Sequence, residues 1–242
     1  MSLLAQNKPP DGGRKQMKRI GLMVAVESEV VTEAYGKPKT TEQVGSFVID
    51  TYKRGFNVIY LLHSGVGEIA AAAAAQLLIS VYHVDLIFNV GVVGGLTEEM
   101  ALGKLGLVKS VVHYAMDVSA IDGLKVGQYS EYPDIYIPAD QALFDKALAV
   151  SDDLIPAVCA SADRFVSGKE DKAYLRETFG ADICDMESAG ILLTCNRNKV
   201  PCVMLKAVSD AMEGTGEEFY AFWRRSMGEA VGILDRILEA VS

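Results

Sequence analysis

Three carboxylates in this 242-residue chain stand where enzymes commonly place acids and bases. The apolar run Val203, Met204, Leu205, Ala207, Val208 ends in Ser209-Asp210, and Gly214 and Gly216 break the pattern just beyond it. A carboxylate delivered by the carboxyl end of a buried strand lies where open α/β sheets bind small molecules. Glu29 follows the strand-like residues 20–26, and Glu187 follows residues 182–186 and precedes a small, helix-compatible stretch, 188–193. One such side chain is often only a helix cap. Three at separate strand ends predict convergence on one cleft and acid and base catalysis.

Other residues invite the same question. Lys206 sits inside the apolar run before Asp210 and, if buried, needs a carboxylate or a ligand anion as partner. Asn89-Val90-Gly91-Val92-Val93-Gly94-Gly95-Leu96 follows an apolar strand, and its glycines either form a tight turn or let backbone approach a ligand. Phe165, beside Val166, Ser167 and Gly168, either fills core or stacks on a flat ring. Ser64-Gly65-Val66-Gly67 reads as a strand-to-helix turn whose N–H groups are also suited to an anion or a ribose hydroxyl. It lacks the spacing of a dinucleotide fingerprint and the ending of a phosphate loop. His63, His83 and His113 are scattered and read as structural.

Elements able to position these groups alternate along the chain. Residues 20–26, 84–90, 105–113, 135–137, 157–161, 183–186 and 203–208 read as strands, and 47–52 with 57–63 as a pair joined at Arg54-Gly55. Helical patterns cover 68–82, where alanines favour close packing, then a stretch through about Ser151 capped by Pro138-Ala139-Asp140, 169–178 and 188–196. Phe219, Phe222, Trp223, Met227, Val231, Leu234, Ile237 and Leu238 mark a closing helix over 217–241. The result is an α/β protein with a central sheet and a cleft at its strand ends.

Composition removes several functions. Half of the residues are hydrophobic, enough for one large core in a single domain over 18–242, with 1–17 as a loose leader. Asp plus Glu number 32 against 23 for Lys plus Arg, and no basic stripe is available to neutralise a nucleic acid. No run reaches the length of a membrane helix. Cys159, Cys184, Cys195 and Cys202 show no close pairing or zinc spacing and read as reduced thiols of a cytoplasmic protein.

Six segments in this order, Ile20-Gly21 through Glu29-Val30, Ser64 to Gly67, Asn89 to Leu96, Asp163-Arg164-Phe165-Val166-Ser167-Gly168, Asp185-Met186-Glu187-Ser188-Ala189 and Ala207-Val208-Ser209-Asp210, resemble the nucleoside phosphorylase family. Within it the chain most resembles the 5'-methylthioadenosine/S-adenosylhomocysteine nucleosidases. The resemblance implies a three-layer α/β/α fold with a mixed sheet and hydrolysis of a purine ribosyl C–N bond. By the same resemblance, Asp210 acts at N7 of the leaving base and Glu29 activates water. Glu187 would bind the ribose hydroxyls, Met186 would lie against sugar and base, Phe165 would stack on the base, Val166 would bond its edge through the main chain, and Gly94 would floor the ribose. Ser209 and Lys206 would complete the substrate site. No cofactor or metal is implied, and a homodimer is, with Val118 and Ile121 reaching the neighbouring subunit's pocket.

The acid role requires Asp210 to carry a proton, and the neighbouring negative charges of Asp185 and Glu187 are expected to favour that form. Two positions depart from the family: Val92 stands for a serine and Lys206 for an arginine, both on the side of the nucleophile. A phosphorolytic enzyme with Lys206 on phosphate, and a nucleoside binder without efficient turnover, are the alternatives.

Overall fold

The computed structural model describes residues 17–26, 29–211 and 216–241; the side chains at 29 and 216–221, and the expected leader except for its last residue, lie outside that description. Ten strands form one mixed sheet among these residues. Strand β1 (Arg19–Val24) lies between β4 (Asn57–His63) and β5 (Leu86–Gly95), parallel to both. From β4 the sheet continues antiparallel through β3 (Phe47–Arg54) to β2 (Thr40–Val44), an exposed edge.

On the other side of β5 the sheet curls into a ring. β5 pairs with β10 (Cys202–Asp210), β10 with β6 (Leu105–His113), β6 with β8 (Leu154–Ser161), β8 with β9 (Ile183–Asp185), and β9 again with β5. Two-residue β7 (Ile137–Pro138) adds to β6. Ring closure gathers the ends of β5, β9 and β10, which an open sheet would spread apart.

Helices cover both faces, as the α/β pattern predicts. α1 (Glu29–Tyr35), α4 (Gln141–Leu148) and α7 (Gly216–Val241) pack together over one face, against Ile20, Leu22 and Val24 of β1 and Val203, Leu205 and Ala207 of β10. α2 (Glu68–Ser80) and α6 (Ser188–Asn198) cover the other, against Met23, Met204 and Val208. The side chains thus alternate along each strand with the period of two that a sheet imposes. Gly21 lets α2 come close: a Cβ there would stand 2.9 Å from Leu78 Cδ1. The remaining helices are short α3 (Ser119–Asp122) and α5 (Lys169–Phe179). Asp140 caps α4 as predicted, its Oδ1 accepting the Leu143 N–H.

Three local expectations are corrected. The first strand stops at Val24, with Ala25 and Val26 in a bend. The glycines after residue 90 form no turn: β5 runs through Gly91, Gly94 and Gly95, because β10 and β9 keep pairing with it there. Edge strand β2, with the sequence TTEQV and no apolar alternation, was not foreseen.

Candidate active site

Nine of the ten residues singled out from the sequence line one cleft of about 500 Å³: Asp210, Glu187, Met186, Phe165, Val166, Gly94, Ser209, Lys206 and Val92. The tenth, Glu29, opens α1, and its side chain lies outside the described residues. Trp223 and Met227 of α7, Val24 at the end of β1 and the following Ala25 and Val26 close the walls.

Asp210 arrives by a strand that ends irregularly. The β10 register slips between Val208 and Asp210, which pairs with Gly94, and such a bulge re-aims the next side chain. Only 2% of Asp210 is exposed. Its Oδ1 accepts a long bond from Ser209 Oγ, 3.3 Å, while its Oδ2 lies 2.5 Å from Lys172 Nζ. The charged group bonded to Asp210 is thus a cation, where negative neighbours were expected. Asp185 is itself bonded to Lys206, and Lys172 was not recognised from sequence. Its signal was present: Lys172, Leu175 and Phe179 form the buried stripe of α5, so a lysine occupies the apolar face of that helix.

Gly94 is bare for a steric reason. A Cβ there would lie 3.0 Å from Cys184 Sγ and 3.1 Å from Asp210 Oδ2. Gly94→Ala is expected to cost about 1–3 kcal/mol of stability and, by displacing the carboxylate, about 10- to 100-fold in turnover. A thermal melt and a kcat measurement on the same sample check this, and wild-type values in both would show that the position tolerates a methyl group.

A second buried network lies beside Glu187. Lys206 Nζ donates to Asp185 Oδ2 at 2.7 Å, with both side chains 2% exposed. Asp185 also accepts from Ser161 Oγ at 2.6 Å and Ser188 Oγ at 2.5 Å. Burial opposes its charge, but Lys206 and these hydroxyls prevail and hold its carboxyl below the usual range. Lys206 thus has the carboxylate partner that its burial demanded. Glu68, unforeseen, accepts from Ser161 Oγ at 2.5 Å and from the Gly190 N–H. Burial, reinforced by the charge of Asp185, pushes Glu68 up to about 8. Burial and Asp185 likewise raise Glu187 to about 7.

The Ser64–Gly67 turn does bind anions, but they are the protein's own. Gly67 N–H donates to Glu187 Oε1 at 3.0 Å and Glu68 N–H to Asp163 Oδ1 at 2.7 Å. Gly67 has φ +101°, and a Cβ on it would stand 2.7 Å from Asp163 Oδ1. The helix start therefore fixes Glu187 at the cleft, whose lining includes Val66 of the turn.

Among the described residues no group of His, Cys, Asp and Glu is arranged to hold a metal ion, and no helix is long and apolar enough to cross a membrane. All four cysteines are free and buried.

Comparison with known proteins agrees with this geometry. The profile of the Phosphorylase superfamily matches residues 19–239. A 5'-methylthioadenosine/S-adenosylhomocysteine nucleosidase from Shewanella pealeana is 31% identical over 199 residues, covering 79% of this chain and 86% of its own. The solved futalosine hydrolase of Helicobacter pylori superposes with a TM-score of 0.86 at 25% identity, covering 92% of this chain and 97% of that one. The 5'-methylthioadenosine/S-adenosylhomocysteine nucleosidase of the same organism, solved with butyl-thio-DADMe-Immucillin-A, gives 0.86 at 25% identity over 92% and 98%. With its fold, its cleft and these relatives, the chain belongs to the phosphorylase superfamily and, within it, to the nucleosidases.

Proposed function

We propose that the cleft hydrolyses the N-glycosidic bond of an adenine nucleoside carrying a 5'-thio group, with Asp210 as the acid toward N7 and Glu29 as the base toward water. The observation that carries this reading is the joint placement of Asp210, Glu187, Phe165 and Met186 around one cavity of nucleoside size. As the C–N bond breaks, positive charge grows on the sugar and negative charge on the base, so an acid at one end and carboxylates near the other both favour the transition state. Phe165 offers a ring face to the base, Val166 a main-chain edge, and Gly94 an unobstructed floor. The names of the Shewanella and Helicobacter relatives favour 5'-methylthioadenosine and S-adenosylhomocysteine. Futalosine is the second candidate, favoured by the hydrolase of that name among the structural neighbours.

Water is preferred to phosphate because the cations of the cleft are already engaged. Among the described lining residues these are Arg164, paired with Asp171, and Lys206, paired with Asp185. A phosphate requires uncommitted donors of this kind. Val92, in place of a hydroxyl, adds none.

Glu187 would accept the ribose hydroxyls through Oε2, with Oε1 on Gly67. That task needs the carboxylate form, which burial and Asp185 disfavour, pushing the group up to about 7. KM is therefore expected to fall as pH rises through about 7 and to level off above it. Initial rates from about pH 5.5 to 8.5 test this, and a flat KM would remove Glu187 from the ribose. A homodimer is part of the proposal: Ile121 is 87% exposed and Ile69 82%, apolar surface suited to a second copy.

The test is product analysis. Incubation with 5'-methylthioadenosine, S-adenosylhomocysteine, futalosine and plain purine nucleosides, with and without phosphate, should release free base and free sugar at a rate independent of phosphate. A sugar 1-phosphate would establish phosphorolysis, and binding without products would leave only a nucleoside binder.

A further inference from the structure

Lys172 is a buried charge to which the mechanism above gives no task. It is fully buried, does not line the cleft, and sits directly behind a residue that does. Its Nζ lies 2.5 Å from Asp210 Oδ2 and also donates to the Ala211 carbonyl. Two effects oppose a cation there. Burial removes its hydration, and its place in the first turn of α5, behind the Gly168 cap, sets it against the positive end of the helix dipole. An apolar residue would fill the same stripe beside Leu175 and Phe179 without either penalty. Among the described residues, Asp210 is the carboxylate within salt-bridge distance of the ammonium. The bare Gly94 keeps open the space around the pair, since a Cβ there would lie 3.1 Å from Asp210 Oδ2 and 3.6 Å from Lys172 Nζ.

Building on the nucleosidase reading of the cleft, we propose that Lys172 is the proton source behind Asp210, so that the pair donates to the leaving base as one acid. The C1'–N9 bonding pair passes into the purine as the bond breaks. A proton leaves Lys172 Nζ for the Asp210 carboxylate, and the carboxyl proton passes to N7. The base departs neutral, Asp210 is again a carboxylate, and Lys172 is a neutral amine that regains a proton from solvent. Water bonds to C1' through its oxygen, keeps one proton as the new hydroxyl and passes the other to Glu29. Lys172 acts through Asp210 and is a positioning and proton-supplying residue, not a contact of the substrate.

Two variants and two substrates test this, with folding checked by thermal melts. Lys172→Met can supply no proton. Lys172→Arg keeps the charge, but a guanidinium does not give up its proton in proteins. With 5'-methylthioadenosine, both are expected to lose about 100-fold or more in kcat with KM nearly unchanged. With p-nitrophenyl riboside, whose leaving group needs no proton, kcat should stay within about threefold of wild type. The ratio of the two rates in one sample does not depend on the fraction folded. Equal losses on both substrates would mark a merely structural lysine, and full activity of the arginine variant would show that charge alone matters; either result overturns the proposal. If the wild type itself cleaves no nucleoside, the nucleosidase reading has failed and not the role of Lys172.

Discussion

Asp210→Asn is expected to bind nucleoside normally and to lose about 10²- to 10⁴-fold in kcat, roughly 3–5 kcal/mol of barrier. The amide preserves the shape of a side chain that is almost wholly enclosed and can still accept from Lys172 through its oxygen. It cannot hand an acidic proton to a departing purine. The base would then leave as an anion, and the cost falls on the transition state and not on ground-state binding. A binding titration beside single-turnover kinetics separates the two. Loss of binding with a normal rate for the bound fraction would assign Asp210 to recognition instead. Because the amide leaves the Lys172 ammonium without a countercharge, a modest drop in thermal stability should accompany the kinetic loss.

The largest effect on stability is expected at Lys206→Met. The substitution strands Asp185, fully buried, beside Glu68 and Glu187. Removing one partner of a buried pair typically costs about 3–5 kcal/mol, whereas removing both is often nearly neutral. The single variant should therefore unfold well below wild type, and Lys206→Met with Asp185→Asn should recover a large part of the loss. The pH dependence has a definite sign. Without Lys206 the folded-state pKa of Asp185 rises above its unfolded value, so stability is retained in acid and lost as pH rises through the new folded-state value. Denaturant unfolding at about pH 5 and pH 8 measures this. A single variant as stable as wild type at both values, or a double variant no better than the single, would mean that the pair contributes little.

These two experiments concern features that were unequally legible in the sequence. Residues 203–210 declared their strand and terminal carboxylate because a strand buried on both faces reads as a continuous apolar run. The hairpin of β3 and β4 was legible at Arg54-Gly55 for a related reason, its turn residues falling between two alternating runs. The edge strand β2 was not, since hydrogen bonding to β3 and not side-chain burial makes it a strand. Ring closure was equally hidden. Apolar strands show that they pair but not with which neighbours, and β5 was read as ending where β9 and β10 keep it extended.

Within the site, residue types were legible and partnerships were not. A lysine inside the 203–208 run had to have a counterion, but nothing in the spacing names Asp185 across 21 residues. Asp185 was assigned to the neighbourhood of Asp210, and its commitment to Lys206 comes only from tertiary packing. Lys172 was the larger omission, because an amphipathic helix with many charges hides one lysine on its buried face. Glu68 was obscured similarly, although Glu68, Ala71, Ala75 and Leu78 share the buried side of α2.

The most direct measurement uses the 7-deaza analogue of the best purine substrate, in which carbon replaces the atom that Asp210 is proposed to protonate. The analogue should bind with an affinity close to that of the parent and inhibit it competitively, while its own C–N bond stays intact over many parental turnovers. Cleavage of the analogue at a rate near the parent's would contradict proton donation at N7 and, with it, the role assigned to Asp210.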